Sequence, residues 1–347
     1  YPLAKKYLDM EALDLTQLES GAMIYVNGKS YRIGDPLRNW KMFLPTILAD
    51  VGSVGDKFKI LALNKRLKSK SIDEIFESPE TSTMDYLKGF GFSSKMINRF
   101  FKPFFAGIFL EPELRTSSRM FEFVYKMFGE GYATIPKAGI GAISEQLAGK
   151  LKSTQFRFNQ NVKQVHSDVI TMEDGSQIDH AGVIIATGTS ALVSNMAYQT
   201  VDWKSCMCLY FEVDQTNIPE GTIALVADKE RLSNNVYGYR ESETGKNILS
   251  ATVLEFEGMT KETVESKVAS ELKEYTGAKE VKHLKTYRID HALPDITNLR
   301  YSTHSSESRL MDNVYLSGDH LFNGSLNAAM ESGRLAALSV IEKGIDQ

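Results

Sequence analysis

The residues best placed to do chemistry lie near the end of this 347-residue chain. Val314-Tyr315-Leu316-Ser317-Gly318-Asp319 is an apolar run that stops at Gly-Asp, and Gly324-Ser325-Leu326-Asn327 opens an Ala-rich stretch through Ala337. The pattern predicts a strand, a turn and a helix. Gly318 has no Cβ, so the backbone there can approach a phosphate or ribityl group, and Asp319 offers a carboxylate to sugar-like hydroxyls. Gly324 and Ser325 fall where the helix starts, with unpaired N–H groups and the positive end of its dipole directed above the sheet. Ala328, Ala329, Ser332, Gly333, Ala336 and Ala337 recur three and four apart, which lets the helix lie close to its neighbours. A lone Gly-Asp would fit the end of any α/β domain. The whole string points to a cofactor.

Two further blocks precede it. One is Pro136-Lys137-Ala138-Gly139-Ile140-Gly141-Ala142-Ile143 with Gln146-Leu147-Ala148, and the other is Val183-Ile184-Ile185-Ala186-Thr187. In this order the three blocks resemble those of the flavin-containing amine oxidase superfamily, which includes monoamine and polyamine oxidases, protoporphyrinogen oxidase and phytoene desaturases. The resemblance runs across nearly the whole chain, including Tyr287-Arg288-Ile289 before Ala292-Leu293-Pro294. It implies FAD as cofactor, with Gly318, Asp319, Gly324, Ser325, Leu326 and Asn327 on the flavin side and Val162, Ala186 and Thr187 nearer the adenosine. Val162 would touch the adenine through its backbone; without the resemblance it reads as a core valine.

Relatives begin with a strand and a G-x-G-x-x-G turn for the FAD pyrophosphate. This chain opens on Tyr1-Pro2-Leu3-Ala4-Lys5-Lys6-Tyr7-Leu8, a helix-like stretch, and Gly139-Ile140-Gly141 lacks the third glycine. The expected fold is therefore α/β: an FAD/NAD(P)-binding Rossmann-like domain, incomplete at its N-terminus, interleaved with an α+β substrate domain. Residues 132–200 and 301–347 are assigned to the first, and 1–131 and 201–300 to the second, with a helical subdomain at 36–131. Without the pyrophosphate turn, the isolated chain is expected to purify free of flavin, since each charge-assisted hydrogen bond lost is worth about 1.5–3 kcal/mol. An NAD enzyme using Gly139 and Gly141 would need a strand where Pro136 and Lys137 stand.

The elements that position these residues are partly legible. Asn27-Gly28 between Ala22–Val26 and Lys29–Ile33 predicts a hairpin. Helices are expected at Asp56–Leu67, with apolar Phe58, Leu61 and Leu67, and from Ser117 or Ser118 to Phe128. The block holding Phe100, Phe101, Phe104, Phe105, Phe109, Phe121, Phe123 and Phe128 reads first as the core of a helical subdomain and second as the wall of an apolar pocket. After a helix at Ala142–Leu151 comes a β-meander: 161–166, 169–172, a turn at Asp174-Gly175, 177–178, then 183–187. Further strands are expected at 207–213, 222–226, 248–254 and 284–289, with a helix at Lys261–Tyr275 before Gly277.

Composition bounds the partners. A formal charge of −4 gives no basic field for nucleic acid or anionic lipid. No run approaches the roughly 20 apolar residues of a membrane-spanning helix. Cys206 and Cys208 share one face of a strand, which argues against a disulfide between them, and the reading is cytoplasmic. The six histidines show no metal-ligand spacing, and His320, directly after Asp319, is the one placed to matter.

With FAD in place, the expected activity is an oxidoreductase that removes a hydride from a C–H bond of a small apolar molecule to flavin N5. The resemblance narrows the substrate. Its amine-oxidising branch carries an aromatic residue where Ser325 stands and a flavin-facing lysine where Cys206 aligns, with Lys204 two residues earlier. An amine therefore fits poorly, and the chain looks closer to the protoporphyrinogen-oxidase and desaturase side. The alternative is a non-catalytic protein that kept the flavoprotein fold without FAD and binds an apolar ligand or a partner. Catalytic residues are not assigned by either reading.

Overall fold

A computed structural model describes residues 1–34, 46, 49–188, 192–193, 201–241 and 243–345. The expected start of the helical subdomain near residue 36 lies outside the described residues. In chain order the elements are α1 (Pro2–Tyr7), β1 (Leu15–Gln17), β2 (Gly21–Val26), β3 (Lys29–Gly34), α2 (Val54–Ser69), α3 (Ile72–Glu77) and α4 (Thr83–Gly89). They continue with α5 (Ser94–Met96), a π-turn at Ile97–Phe101, α6 (Lys102–Phe109), α7 (Ser118–Glu130), β4 (Thr134–Pro136), α8 (Gly141–Gly149), β5 (Val162–Val165), β6 (Val169–Met172), β7 (Gln177–Asp179) and β8 (Val183–Ile185). The remainder is β9 (Trp203–Val213), β10 (Ile223–Val226), β11 (Ser233–Arg240), β12 (Asn247–Val253), α9 (Lys261–Thr276), β13 (Val281–Pro294), β14 (Arg309–Met311), β15 (Val314–Leu316) and α10 (Leu326–Ile345).

The chain divides into two compact units, one of residues 1–15, 136–202 and 294–347, the other of 16–135 and 203–293. Residues 1–15, placed with the substrate domain on sequence grounds, fall instead in the first unit. The cause is apolar packing: Ala4, Leu8 and Leu13 are buried with Ala142, Ile143, Leu147 and Met330.

The second unit is built on a seven-stranded sheet in the order β13-β9-β12-β11-β10-β2-β3. Its β2–β3 hairpin turns at Asn27 and Gly28, whose φ values of 53° and 68° suit the tight turn that strand twist demands. Alternation puts Leu209, Phe211, Val213, Leu249, Ala251 and Val253 on one face, where Val264, Val268 and Leu272 of α9 cover them. Gly277, at φ 71°, ends that helix.

β11 escaped the sequence reading. Its residues Ser233-Asn234-Asn235-Val236-Tyr237-Gly238-Tyr239-Arg240 lack an apolar run, and the strand exists because β10 and β12 pair with it on both sides. Helix α2 also differs in phase from its apolar pattern. Phe58 and Leu61 are exposed, while Leu63 and Leu67, four apart, form the buried stripe.

The phenylalanine block makes a core of its own. Phe101, Phe105, Phe109, Phe121 and Phe123 are buried, and their rings meet in edge and tilted contacts such as Phe105–Phe121 at 4.8 Å between centroids. Ser53 and Asp56 close α2 with a reciprocal capping box, Ser71 and Glu74 do the same for α3, and Ser117 caps α7. Glu122, buried on α7, is held by Lys70 at 2.6 Å and the Tyr86 hydroxyl at 2.7 Å.

In the first unit, β5, β6 and β7 form an antiparallel meander, and β14-β15-β8 a second three-stranded sheet. Val165, Ile185, Val193 and Val314 make the core there, with Val162 and Leu316 packed against it. Among the described residues no helix is long and apolar enough to cross a membrane, and no cluster of three or more His, Cys, Asp or Glu could hold a metal.

Candidate functional site

The site begins with one parallel strand pair. Val314, Tyr315 and Leu316 of β15 lie opposite Val183, Ile184 and Ile185 of β8, so both strands end together. The Ser317 N–H donates to the Ile185 carbonyl at 2.9 Å and carries the register one step further. Ala186-Thr187-Gly188 and Ser317-Gly318-Asp319 thus leave the sheet side by side, at the carboxyl ends where open α/β sheets bind ligands. Ala186 and Thr187 are exposed there. Val162 stands apart on β5, packed on the same apolar core as Ile185 and Leu316.

Ser332 of α10 fixes the Gly-Asp turn. Its hydroxyl donates to the Ala329 carbonyl at 2.9 Å, which leaves its oxygen to accept the Gly318 N–H at 2.9 Å and the Ser317 hydroxyl at 3.2 Å. From sequence, Ser332 was legible only as one small residue in a stripe. The room beside Gly318 is taken up by protein: a Cβ built on it would lie 2.3 Å from Cε1 and 2.4 Å from Nδ1 of His320. The histidine by itself is enough to require glycine here.

Asp319 opens a short 3₁₀ turn, its carbonyl accepting from the N–H groups of Phe322 and Gly324. Its carboxylate takes no hydrogen bond from the described residues and is half-buried. His320 is also half-buried; burial lowers its basicity below the usual histidine range, and the neighbouring Asp319 opposes that shift in part.

Gly324, at φ 65°, turns the chain into α10. The Ser325 hydroxyl donates to Asn323 Oδ1 at 2.7 Å and accepts the Ala328 N–H at 3.1 Å, as a helix cap does. The Asn327 side chain is likewise occupied, its Oδ1 accepting the Leu3 N–H at 3.2 Å. The backbone N–H groups of Leu326 and Asn327 keep the first-turn freedom of a 20-residue helix. An anion is favoured at such an end. A small cavity of about 160 Å³ lies behind the turn, lined by Arg300, Thr303, Leu316, Phe322, Ser332 and Leu335. It is too small for a dinucleotide, since drug-sized ligands occupy roughly 300–1,000 Å³.

In the other unit, Lys204 on β9 donates to Thr116 Oγ1 at 3.2 Å, and that hydroxyl is bonded to Glu111 Oε1 at 3.1 Å. Cys206 is buried, which raises its thiol above the usual range, and Cys208 Sγ lies 3.3 Å from Ser250 Oγ. Both cysteines are free.

A parallel strand pair that ends in Gly-Asp beside Ala-Thr, with a small-residue helix starting above it, defines an α/β cofactor-binding protein. The family model for flavin containing amine oxidoreductases matches residues 1–341, and the chain belongs to that family. FAD is the family's cofactor. No curated protein matches the chain. Among solved structures, an oxidoreductase from Methanosarcina mazei superposes with a TM-score of 0.67 at 16% identity, over 94% of this chain and 82% of that one. A double mutant of putrescine oxidase gives 0.66 at 14% identity, over 96% and 84%. Cyclohexylamine oxidase from Brevibacterium oxydans gives 0.59 at 11%, over 97% and 84%. At such identities these likenesses speak for the fold.

The described residues fit FAD. A free carboxylate at Asp319 suits a ribityl or ribose hydroxyl, and the free N–H groups at the start of α10 suit an anionic or electron-rich edge.

Proposed function

We propose that this FAD-dependent oxidoreductase removes a hydride from a C–H bond of a small apolar molecule. The unit of residues 1–15, 136–202 and 294–347 would bind the cofactor, and the other the substrate. The observation that carries the reading is the common end of β8 and β15, which brings Ala186 and Thr187 beside Gly318 and Asp319. Gly318, Asp319, Gly324, Ser325 and the N–H groups of Leu326 and Asn327 would hold the flavin side; Val162, Ala186 and Thr187 would hold the adenosine side.

Bound FAD supplies a two-electron acceptor at N5 of its ring. The protein's share is to orient and to exclude water. Asp319 orients through hydroxyls, and Ser332 prevents the Gly318 turn from shifting. Ser325 supports a substrate other than an amine. It is 8% exposed and spends its hydroxyl on Asn323 and Ala328, so it provides no aromatic wall for a cation. The free cysteines fit a cytoplasmic setting.

The test is anaerobic mixing of the FAD-loaded protein with two substrate panels, amines and apolar ring or polyene compounds. Bleaching of the visible flavin absorption by the apolar panel alone is the expected result. Bleaching by amines alone would overturn the substrate class, and failure to bind FAD even when it is added in excess would overturn the enzymatic reading.

A further inference from the structure

The histidine beside the Gly-Asp turn packs on Gly318 and makes no side-chain hydrogen bond with the described residues. Neither ring nitrogen of His320 takes a hydrogen bond from the described residues, although the ring is half-buried. Neither nitrogen is sealed from solvent, so both stay open to the polar atoms of a ligand. Here the local structure is arranged to keep the ring. Gly318 leaves room that any side chain would fill, with the Cε1–Nδ1 edge of the imidazole against it and Nε2 farther off, 3.5 Å from the same point. Asp319 and Phe322 close a 3₁₀ turn around the histidine, and the Gly324 N–H returns to the Asp319 carbonyl at 3.0 Å. Ser332 fixes Gly318 from the other side.

We infer that His320 is a cofactor-contacting residue, its imidazole supplying a hydrogen-bonding nitrogen to bound FAD next to the Asp319 carboxylate. This rests on the flavoenzyme reading above. The imidazole lies at the carboxyl end of β15, one residue beyond the carboxylate assigned to the cofactor's hydroxyls, and on the same rigid turn. Burial keeps the ring uncharged near neutral pH, so it presents one donor and one acceptor. Two adjacent groups then read the cofactor: an acceptor-only carboxylate and an imidazole able to donate.

The experiment is a titration with FAD, read by flavin fluorescence and by the position of the visible absorption bands, on the wild-type protein, His320→Phe and His320→Gln. Thermal melting without FAD shows whether each variant is folded. Phenylalanine keeps a flat ring against Gly318 but has no nitrogen, and glutamine keeps a donor. The expected result is a five- to tenfold weaker affinity and shifted bands for His320→Phe, the size of one lost hydrogen bond, with His320→Gln within about threefold of wild type. Wild-type affinity and bands in His320→Phe would overturn the inference. So would an equal loss in both variants, which would mark the ring's shape as what matters. If the wild-type protein, expected to purify without flavin, binds none even with FAD added in excess, the flavoenzyme reading itself fails and takes this inference with it.

Discussion

Gly318 and Ser332 are joined by one hydrogen bond, N–H to hydroxyl at 2.9 Å, that ties the last strand to the last helix. Ser332→Ala removes the acceptor and leaves the Gly318 N–H without a partner. The expected cost is about 1–3 kcal/mol of stability. Urea unfolding of the two proteins measures it, and an unchanged midpoint would show that water replaces the serine.

Gly318→Ala pushes a methyl into the His320 ring. The expected cost is about 1–3 kcal/mol, as for other overpacked sites. His320→Ala empties that space, so Gly318→Ala should cost less in the His320→Ala background. A double-mutant cycle should return a coupling above about 0.5 kcal/mol. A cycle that adds to zero would place the ring elsewhere.

Asp56 sets an acid limit on the helical block. It is buried, which alone would raise its carboxyl, yet Ser53 and Ser93 each give it a hydroxyl and an N–H at 2.6–2.8 Å. These four bonds win, and the carboxyl is held at about 2 instead of 3.8. A carboxyl depressed by folding stabilises the protein above its unfolded value and loses that contribution as pH falls through the folded one. About 2 kcal/mol should therefore disappear between about pH 4 and pH 2. In Asp56→Asn this part of the acid limb should flatten while stability at neutral pH drops. Urea midpoints across that window decide it.

Glu122 is the other buried carboxylate of the block, bonded to Lys70 and Tyr86. Glu122→Ala should cost about 3–5 kcal/mol because Lys70 loses its counter-charge in a partly buried place. Glu122→Gln keeps an acceptor for Tyr86 and should cost less. Burial and the Glu122 charge both push the Tyr86 hydroxyl well above the ordinary tyrosine range. The tyrosine titration seen by ultraviolet absorption should therefore gain one group at lower pH in Glu122→Gln.

What the sequence showed clearly was local. Asn27-Gly28 needs positive φ at both positions, and the serines at 53, 71 and 117 precede helices as caps do, so hairpin and helix starts were readable. The strings Ala186-Thr187 and Gly318-Asp319 were also readable as separate candidates. Their adjacency was not, because it comes from a parallel register between distant segments. β11 was hidden for a similar reason: Asn234, Asn235 and Gly238 are poor strand formers, and the strand is imposed by its two neighbours. At Gly318 the need for a residue without a Cβ was readable, and the structure adds that the His320 ring lies against it.

The bond from Leu3 to Asn327 joins the beginning of the chain to its last helix. Residues 16–135 and 203–293 all precede α10 in the chain, so the second unit can fold while the first still lacks a wall. Without α10, Ala4 and Leu8 lack Met330 as a packing neighbour, and the Gly318 turn has no Ser332. The proposed cofactor site therefore depends on α10 and the second unit does not, so a chain lacking that helix should keep the second unit's fold and lose cofactor uptake.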